Sequence, residues 1–107
     1  MKLADLDRFQ GYPQDPMPRM EAVELAREIP LWVLKETSLE REFRFTGFRQ
    51  AMEFVNKVAE IADKQDHHPD IFISYNKVLL TLSTHKIGGL SAKDFLLAAA
   101  IDPLAAA

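Results

Sequence analysis

The amino-acid sequence predicts an α+β domain, in which three helices cover one face of a four-stranded antiparallel sheet in the order α-β-β-α-β-β-α. Two observations lead to this prediction. Strand-like and helical spacings of apolar residues alternate along the chain, and the strand-like segments come as two hairpins. The pattern of a βαβ crossover is absent, so the strands are expected to run antiparallel.

Composition and charge restrict the classes of protein that fit. With 107 residues, 48% of them hydrophobic, the chain is expected to form one folded domain. A net charge of -3 offers no basic surface, so direct nucleic-acid binding is not expected. The chain has no cysteine, which excludes disulfides, thiolate catalysis and cysteine-bound zinc. It shows neither a signal peptide nor an apolar run of membrane-spanning length, so we expect a cytoplasmic protein without membrane contact.

The chain is predicted to begin with an arm and a short helix. Gly11 and three prolines make residues 1–18 a proline-rich N-terminal arm, expected to be extended. Residues 19–28 show the apolar spacing of a helix, and Pro30 is expected to end it.

A hairpin and a long helix are predicted next. Residues 31–36 and 39–45 form the first two strands, and the second of these carries charged residues at alternate positions. From residue 48 to residue 62 the apolar spacing becomes helical. The helix face expected to be buried consists of Phe48, Ala51, Met52, Val55, Val58, Ala59 and Ala62.

A second hairpin and a last helix complete the predicted fold. Residues 71–75 and 78–84 are the third and fourth strands, and Asn76 suits a left-handed turn between them. The last helix opens at Ser91 and runs toward Pro103.

All three histidines lie in the second half of the chain, and they are the first candidates for a functional site. His67 and His68 precede Pro69 between the long helix and the third strand, and His85 follows the fourth strand. Imidazole takes up and releases protons near neutral pH, so this set points to acid–base catalysis. A structural role for the pair stays open, because the helix dipole favours histidine at a helix C-terminus.

Two alternative roles concern the same region. A metal site is disfavoured, because the adjacent side chains of His67 and His68 diverge and the four-residue histidine spacing of zinc helices is absent. Asp94 stands at the third helical position after Ser91, where spacing alone favours a capping box over catalysis. The capping role is compatible with a role in a site.

A longer pattern joins the histidines to their neighbours. Its members are Asp63, His67, His68, Pro69, Tyr75, His85 and Asp94. The surrounding chain also contains Trp32, Arg41-Glu42-Phe43, Asp66, Gly88-Gly89 and Ile101-Asp102. With these motifs the sequence resembles the pterin-4a-carbinolamine dehydratase family over residues 21–102.

The resemblance implies an enzyme that dehydrates 4a-hydroxytetrahydrobiopterin to quinonoid dihydrobiopterin, with no metal or organic cofactor. It implies that His67, His68 and His85 are the catalytic acid–base set, with His67 and His85 as the expected proton-transfer pair. The residues that it implies for substrate binding or for orienting the histidines are Asp63, Asp66, Tyr75 and Asp94.

The resemblance also implies partners. These are the pterin substrate, further copies of the chain in a homodimer or homotetramer, and a functional link to an aromatic amino acid hydroxylase. Bulky residues on both faces of residues 71–75 and 78–84 also favour self-association. Two other readings stay open: a non-catalytic dimerisation or interaction protein, and a protein that acts on another pterin. A single domain spanning residues 1–107 is expected in each case.

Overall fold

The computed structural model describes residues 2–8 and 14–105, and in this part of the chain it confirms the predicted α+β architecture. The strands are β1 (Val33–Leu34), β2 (Leu39–Arg44), β3 (Asp70–Ser74) and β4 (Lys77–Leu82). The helices are α1 (Arg19–Ala26), α2 (Phe48–Gln65) and α3 (Ala92–Ala105), with short 3-10 helices at Leu3–Arg8 and His85–Ile87. The strands pair antiparallel in the order β1-β2-β4-β3, which leaves β1 and β3 at the edges.

The N-terminal segment differs from the extended arm expected for residues 1–18. Leu3–Arg8 forms a 3-10 helix, and its Leu6 is fully buried in the core. A six-residue segment is too short to show a periodic pattern. Its position depends on contacts with distant residues, including the bond from the Leu3 amide to Glu28 Oε2 at 2.7 Å. Gly11, on which part of the prediction rested, lies outside the described residues.

The first helix and the first strand are both shorter than predicted. α1 ends at Ala26, and the chain then turns, with the Ile29 amide donating to the Ala26 carbonyl. A proline disfavours helical backbone angles at the residue before it, so Pro30 ends the helix upstream of its own position. β1 consequently keeps only two residues.

The buried face of α2 is rotated from the predicted one. Its buried residues are Ala51, Phe54, Val58 and Ala62. Phe48 and Ala59, which were expected on this face, are exposed. Phe54 was not expected there, yet its ring lies 4.6 Å from the ring of Phe43 and 5.0 Å from that of Phe45. Phe54 lies three residues after Ala51 and four before Val58, so helical spacing also places it on this face, and its contacts with Phe43 and Phe45 stabilise that face.

The turn between β3 and β4 also corrects a prediction. Tyr75, and not Asn76, takes the left-handed conformation, with φ 54°. The side chain of Asn76 instead donates to the carbonyl oxygen of Phe45 at 2.9 Å. This bond ties the hairpin turn to the residue that follows β2.

α3 is the helix most surrounded by the core. It begins at Ala92 and continues through Pro103 to Ala105, past the predicted end. Phe95, Leu97, Ala98 and Ile101 are fully buried. Although α3 is apolar, no helix among residues 2–8 and 14–105 is long and apolar enough to cross a membrane.

The C-terminal part of α3 is joined to the sheet by a carboxylate with two donors. Trp32 Nε1 donates to Asp102 Oδ1 at 2.7 Å, and Arg41 Nη1 donates to the same oxygen at 2.6 Å. The Arg41 guanidinium also lies over the ring of Phe43, 4.2 Å from its centroid. Arg41 faces Leu80 across the sheet, on the side that the helices cover, so Asp102 neutralises a charge that is largely removed from water.

The residues before α1 pack against the loop that precedes α3. The Met17 amide donates to the Leu90 carbonyl at 2.7 Å. A Cβ placed on Gly89 would stand 2.9 Å from Pro16 Cβ, which is closer than real Cβ atoms approach. The neighbouring Gly88 has φ 68° and open space around its Cα. Gly89 is therefore required because a side chain there would collide with Pro16. Gly88 is required because its backbone adopts the left-handed conformation.

We expect Asp102→Ala to lower the free energy of unfolding by about 2 kcal/mol, because it leaves the Arg41 charge and the Trp32 indole without their shared acceptor. Urea titration followed by Trp32 fluorescence measures this. Glu53→Ala, on the exposed side of α2, is the control and should stay near wild type. Equal transition midpoints for Asp102→Ala and wild type would contradict the assigned role.

We expect Gly89→Ala and Gly88→Ala to respond differently to removal of the Pro16 ring. Gly88→Ala should cost about 1 kcal/mol through left-handed backbone strain, with or without Pro16. Gly89→Ala should cost more, and Pro16→Gly should relieve much of that cost in the double variant. A double-mutant cycle measured by urea unfolding tests this. Strict additivity of Gly89→Ala with Pro16→Gly would refute the close contact.

Candidate active site

The three histidines are brought together by the pairing of β3 with β4. Asp70 at the start of β3 lies opposite Thr81 near the end of β4. The residues just before β3 and those just after β4 therefore meet at one end of the sheet. This register places His67 and His68 beside His85.

The C-terminus of α2 sets the direction of the histidine pair. Asp66 takes the left-handed conformation, with φ 50° and ψ 44°, and ends the helix. The next amide, of His67, donates back to the Ala62 carbonyl at 3.1 Å. This termination turns His67 inward, where its side chain is only 6% exposed, and leaves His68 facing solvent.

An open cleft of about 210 Å³ lies between these segments. The residues that line it are His67, His68, Ser83, Thr84, His85 and Lys86. All the predicted histidines are thus in one cleft. Ser83, Thr84 and Lys86 were missed by the sequence analysis, and the only signal for them is that they neighbour His85 in the chain.

His67 forms a hydrogen bond with Asp94 in the interior. Its Nε2 lies 2.5 Å from Asp94 Oδ1, and the carboxylate is completely buried. A carboxylate accepts hydrogen bonds, so the hydrogen resides on Nε2 and the ring orientation is fixed.

The capping box predicted at the start of α3 is confirmed. The Ser91 amide donates to Asp94 Oδ2 at 2.9 Å, and the Lys93 amide donates to Ser91 Oγ at 3.3 Å. Asp94 therefore caps the helix with one oxygen and holds His67 with the other. The sequence analysis left helix capping and contact with the site as compatible for Asp94, and its two oxygens make both contacts.

The other two histidines have their own carboxylates near the rim of the cleft. His68 Nε2 is 2.9 Å from Asp63 Oδ1, and His85 Nε2 is 4.0 Å from Asp70 Oδ2. All four side chains of these two pairs are largely exposed. The cleft thus combines one buried imidazole with two that contact water, each beside an acidic group.

Two of the residues expected near the substrate lie elsewhere in this chain. Asp66 is the left-handed cap of α2, and it does not line the cleft. Tyr75 lies in the β3–β4 turn, at the opposite end of β3 from Asp70 and about 16 Å away along the strand. Of the implied orienting residues, Asp94 bonds to His67 and Asp63 bonds to His68.

The geometry also bears on metal binding. Within residues 2–8 and 14–105, no group of three or more histidine and acidic side chains is arranged to hold an ion. His67 turns to the buried Asp94, whereas His68 turns to the exposed Asp63. The adjacent imidazoles therefore point to different acceptors, as their position in the chain predicts.

Comparison with known proteins gives consistent matches over this region. A family model described as pterin 4 alpha carbinolamine dehydratase matches residues 15–104. A protein of Rubrobacter xylanophilus, with the provisional name pterin-4-alpha-carbinolamine dehydratase, is 47% identical over 90 residues, which cover 83% of this chain and 84% of that protein. A protein of Gloeobacter violaceus with the same provisional name is 52% identical over 86 residues, covering 76% and 94%.

Solved structures share the fold. The crystal structure of a transcriptional coactivator/pterin dehydratase from Brucella melitensis has a TM-score of 0.79 and 32% identity, over 85% of this chain and 99% of that one. A pterin dehydratase-like protein described as a RuBisCO assembly factor in the alpha-carboxysome has a TM-score of 0.58 and 25% identity, over 69% and 86%. From the family model and these identities we conclude that the chain belongs to the pterin-4-alpha-carbinolamine dehydratase family.

Proposed function

We propose that this protein is a dehydratase that converts 4a-hydroxytetrahydrobiopterin to quinonoid dihydrobiopterin and water. The observation that carries the proposal is the convergence of His67, His68 and His85 on one cleft, in a chain that belongs to this family. Each imidazole has a carboxylate oxygen within 4.0 Å of its Nε2, which can orient the ring toward a bound substrate.

The proposed reaction is an elimination that needs an acid and a base. A proton passes to the 4a-oxygen, the carbon–oxygen bond breaks with its electron pair leaving on water, and a ring nitrogen loses its proton as the new double bond forms. Protons and electrons balance without an oxidant, a reductant or a metal ion. Imidazole pairs supply both transfers in one site.

The burial of the histidines supports a division of roles between them. His67 is held in a fixed orientation by Asp94 at the inner wall of the cleft, and His85 stands exposed at its rim. We assign proton transfer to these two, and a mainly positioning role to His68 beside Asp63. Whichever of the two imidazoles is protonated when substrate binds gives its proton to the 4a-oxygen. The neutral one takes the proton from the ring nitrogen.

The proposed physiological setting is recycling of the pterin cofactor of an aromatic amino acid hydroxylase in the cytoplasm. Family membership supports the pterin substrate class. Two alternatives are tested by the same experiments: action on a pterin with another side chain, and a non-catalytic role as a dimerisation or interaction protein. One solved structure with this fold is described as a RuBisCO assembly factor.

We expect His85→Ala to reduce the dehydration rate by about a hundredfold or more, the scale of a general acid–base group. The exposed position of His85 predicts an unchanged melting temperature. Stopped-flow decay of 4a-hydroxytetrahydropterin, with a strong chelator present throughout, measures the rate. Lys57→Ala, on the exposed side of α2, is the control.

The same assay decides between the functions. Full activity in His85→Ala would remove that residue from the mechanism. Absence of turnover by wild type, tested with several pterin side chains, would favour the non-catalytic reading.

We also propose that the protein forms a homodimer or homotetramer. β3 is an edge strand, and its Ile71 and Phe72 are exposed on opposite faces of it. Light scattering at micromolar concentration should give a multiple of the 12.2 kDa chain mass. Phe72→Lys should weaken association, whereas Met20→Lys on α1 should not. A monomer mass for wild type would contradict the proposal.

A further inference from the structure

Two buried hydroxyl groups lie behind the histidine cleft and contact Asp94. Thr84 Oγ1 donates to Asp94 Oδ2 at 2.9 Å and lies 2.7 Å from Ser91 Oγ. Thr84 and Ser91 are 2% and 1% exposed. The Thr84 amide donates to the Gly89 carbonyl at 2.9 Å, which holds the end of β4 against the loop before α3.

The donors and acceptors of this cluster fit only one direction of hydrogen bonding. The Lys93 amide donates to Ser91 Oγ, and the carboxylate of Asp94 accepts. Because Thr84 has one hydroxyl hydrogen and gives it to Asp94, the hydrogen of Ser91 must be donated to Thr84 Oγ1. The order is therefore Lys93 amide, Ser91 hydroxyl, Thr84 hydroxyl, Asp94 carboxylate.

The position of Thr84 is not explained by helix capping. Ser91 and Asp94 complete the capping box by themselves, since each bonds to an amide of the first turn of α3. Thr84 belongs to a different segment, at the end of β4, yet it supplies the second hydrogen bond to Asp94 Oδ2. With two donors on Oδ2, the other oxygen, Oδ1, is left directed at His67.

We propose that Thr84 is a positioning residue, whose hydroxyl, oriented by Ser91, fixes the Asp94 carboxylate and through it the ring and the Nε2 hydrogen of His67. The kinetic part of this inference rests on the proposed function, whereas the structural part does not. Hydrogen bonds to a buried carboxylate are worth more than those at a surface, so loss of one donor changes how strongly Asp94 holds the imidazole. Outer hydrogen-bond partners of metal-bound histidines contribute roughly ten- to a hundredfold to activity or affinity, and a similar scale applies here.

The test compares two replacements of Thr84. Thr84→Val keeps the shape and removes the hydroxyl, whereas Thr84→Ser keeps the hydroxyl and removes a methyl group. Thr81→Val, on the same strand and on the face of the sheet away from the helices, is the matched control. We expect Thr84→Val to lower kcat by about tenfold or more with KM changed less than about twofold, and Thr84→Ser to stay within about threefold of wild type.

A second measurement does not depend on turnover. NMR of protein labelled with ¹⁵N-histidine should show a downfield proton on His67 Nε2, because this nitrogen donates to a buried carboxylate. That resonance should shift or exchange faster in Thr84→Val and remain in Thr84→Ser and Thr81→Val. Wild type without dehydratase activity but with this pattern would refute the proposed function and keep the positioning role.

Three outcomes would overturn the inference itself. The first is an unchanged His67 resonance in Thr84→Val. The second is equal damage in Thr84→Ser and Thr84→Val, which would show that keeping the hydroxyl does not preserve the position of His67. The third, for active wild-type protein, is full activity of Thr84→Val. If Thr84→Val fails to fold, Ser91→Ala replaces it, since it removes the hydroxyl that orients Thr84, and unchanged His67 signals there would equally overturn the inference.

Discussion

The buried side chain of Asp94 joins the start of α3 to the two segments that line the cleft. It bonds to His67 after α2, to Thr84 after β4 and to the Ser91 amide at the start of α3. A polar side chain at zero exposure is tolerated only when hydrogen bonds replace the lost water. The same bonds that satisfy this carboxylate therefore also fix how the helix, the strand end and the histidine segment are arranged.

α3 is held by a carboxylate near each end. Asp94 lies in its first turn, and Asp102 near its end bonds to Trp32 and Arg41 of the sheet layer. The apolar residues between them fill the core without determining a rotation of the helix, because nearly every side of α3 is apolar. The two carboxylates supply the directional contacts that a largely apolar helix lacks, and Asp94 thereby links α3 to His67 and Thr84, which line the cleft.

The sequence predicts the layer architecture well because strand alternation and helix spacing are local properties. It also predicts the capping box and the three histidines, whose chemistry is visible in the residue types. Contacts between distant segments were not predictable in this way. The burial of Leu6 and the bond from Asn76 to the Phe45 carbonyl each depend on residues far away in the chain. Thr84 was missed for the same reason, since its partners come from the next helix.

The contact of Pro16 and Met17 with Gly89 and Leu90 connects the start of the chain to the candidate site. Gly89 also accepts the hydrogen bond from the Thr84 amide, so the same short loop is held from both sides. Segments of a protein that unfold together are determined by such contacts and not by their distance along the sequence. We therefore expect the contact of Pro16 and Met17 to open together with the loop behind the histidines, so that amide exchange in this loop reports on that contact.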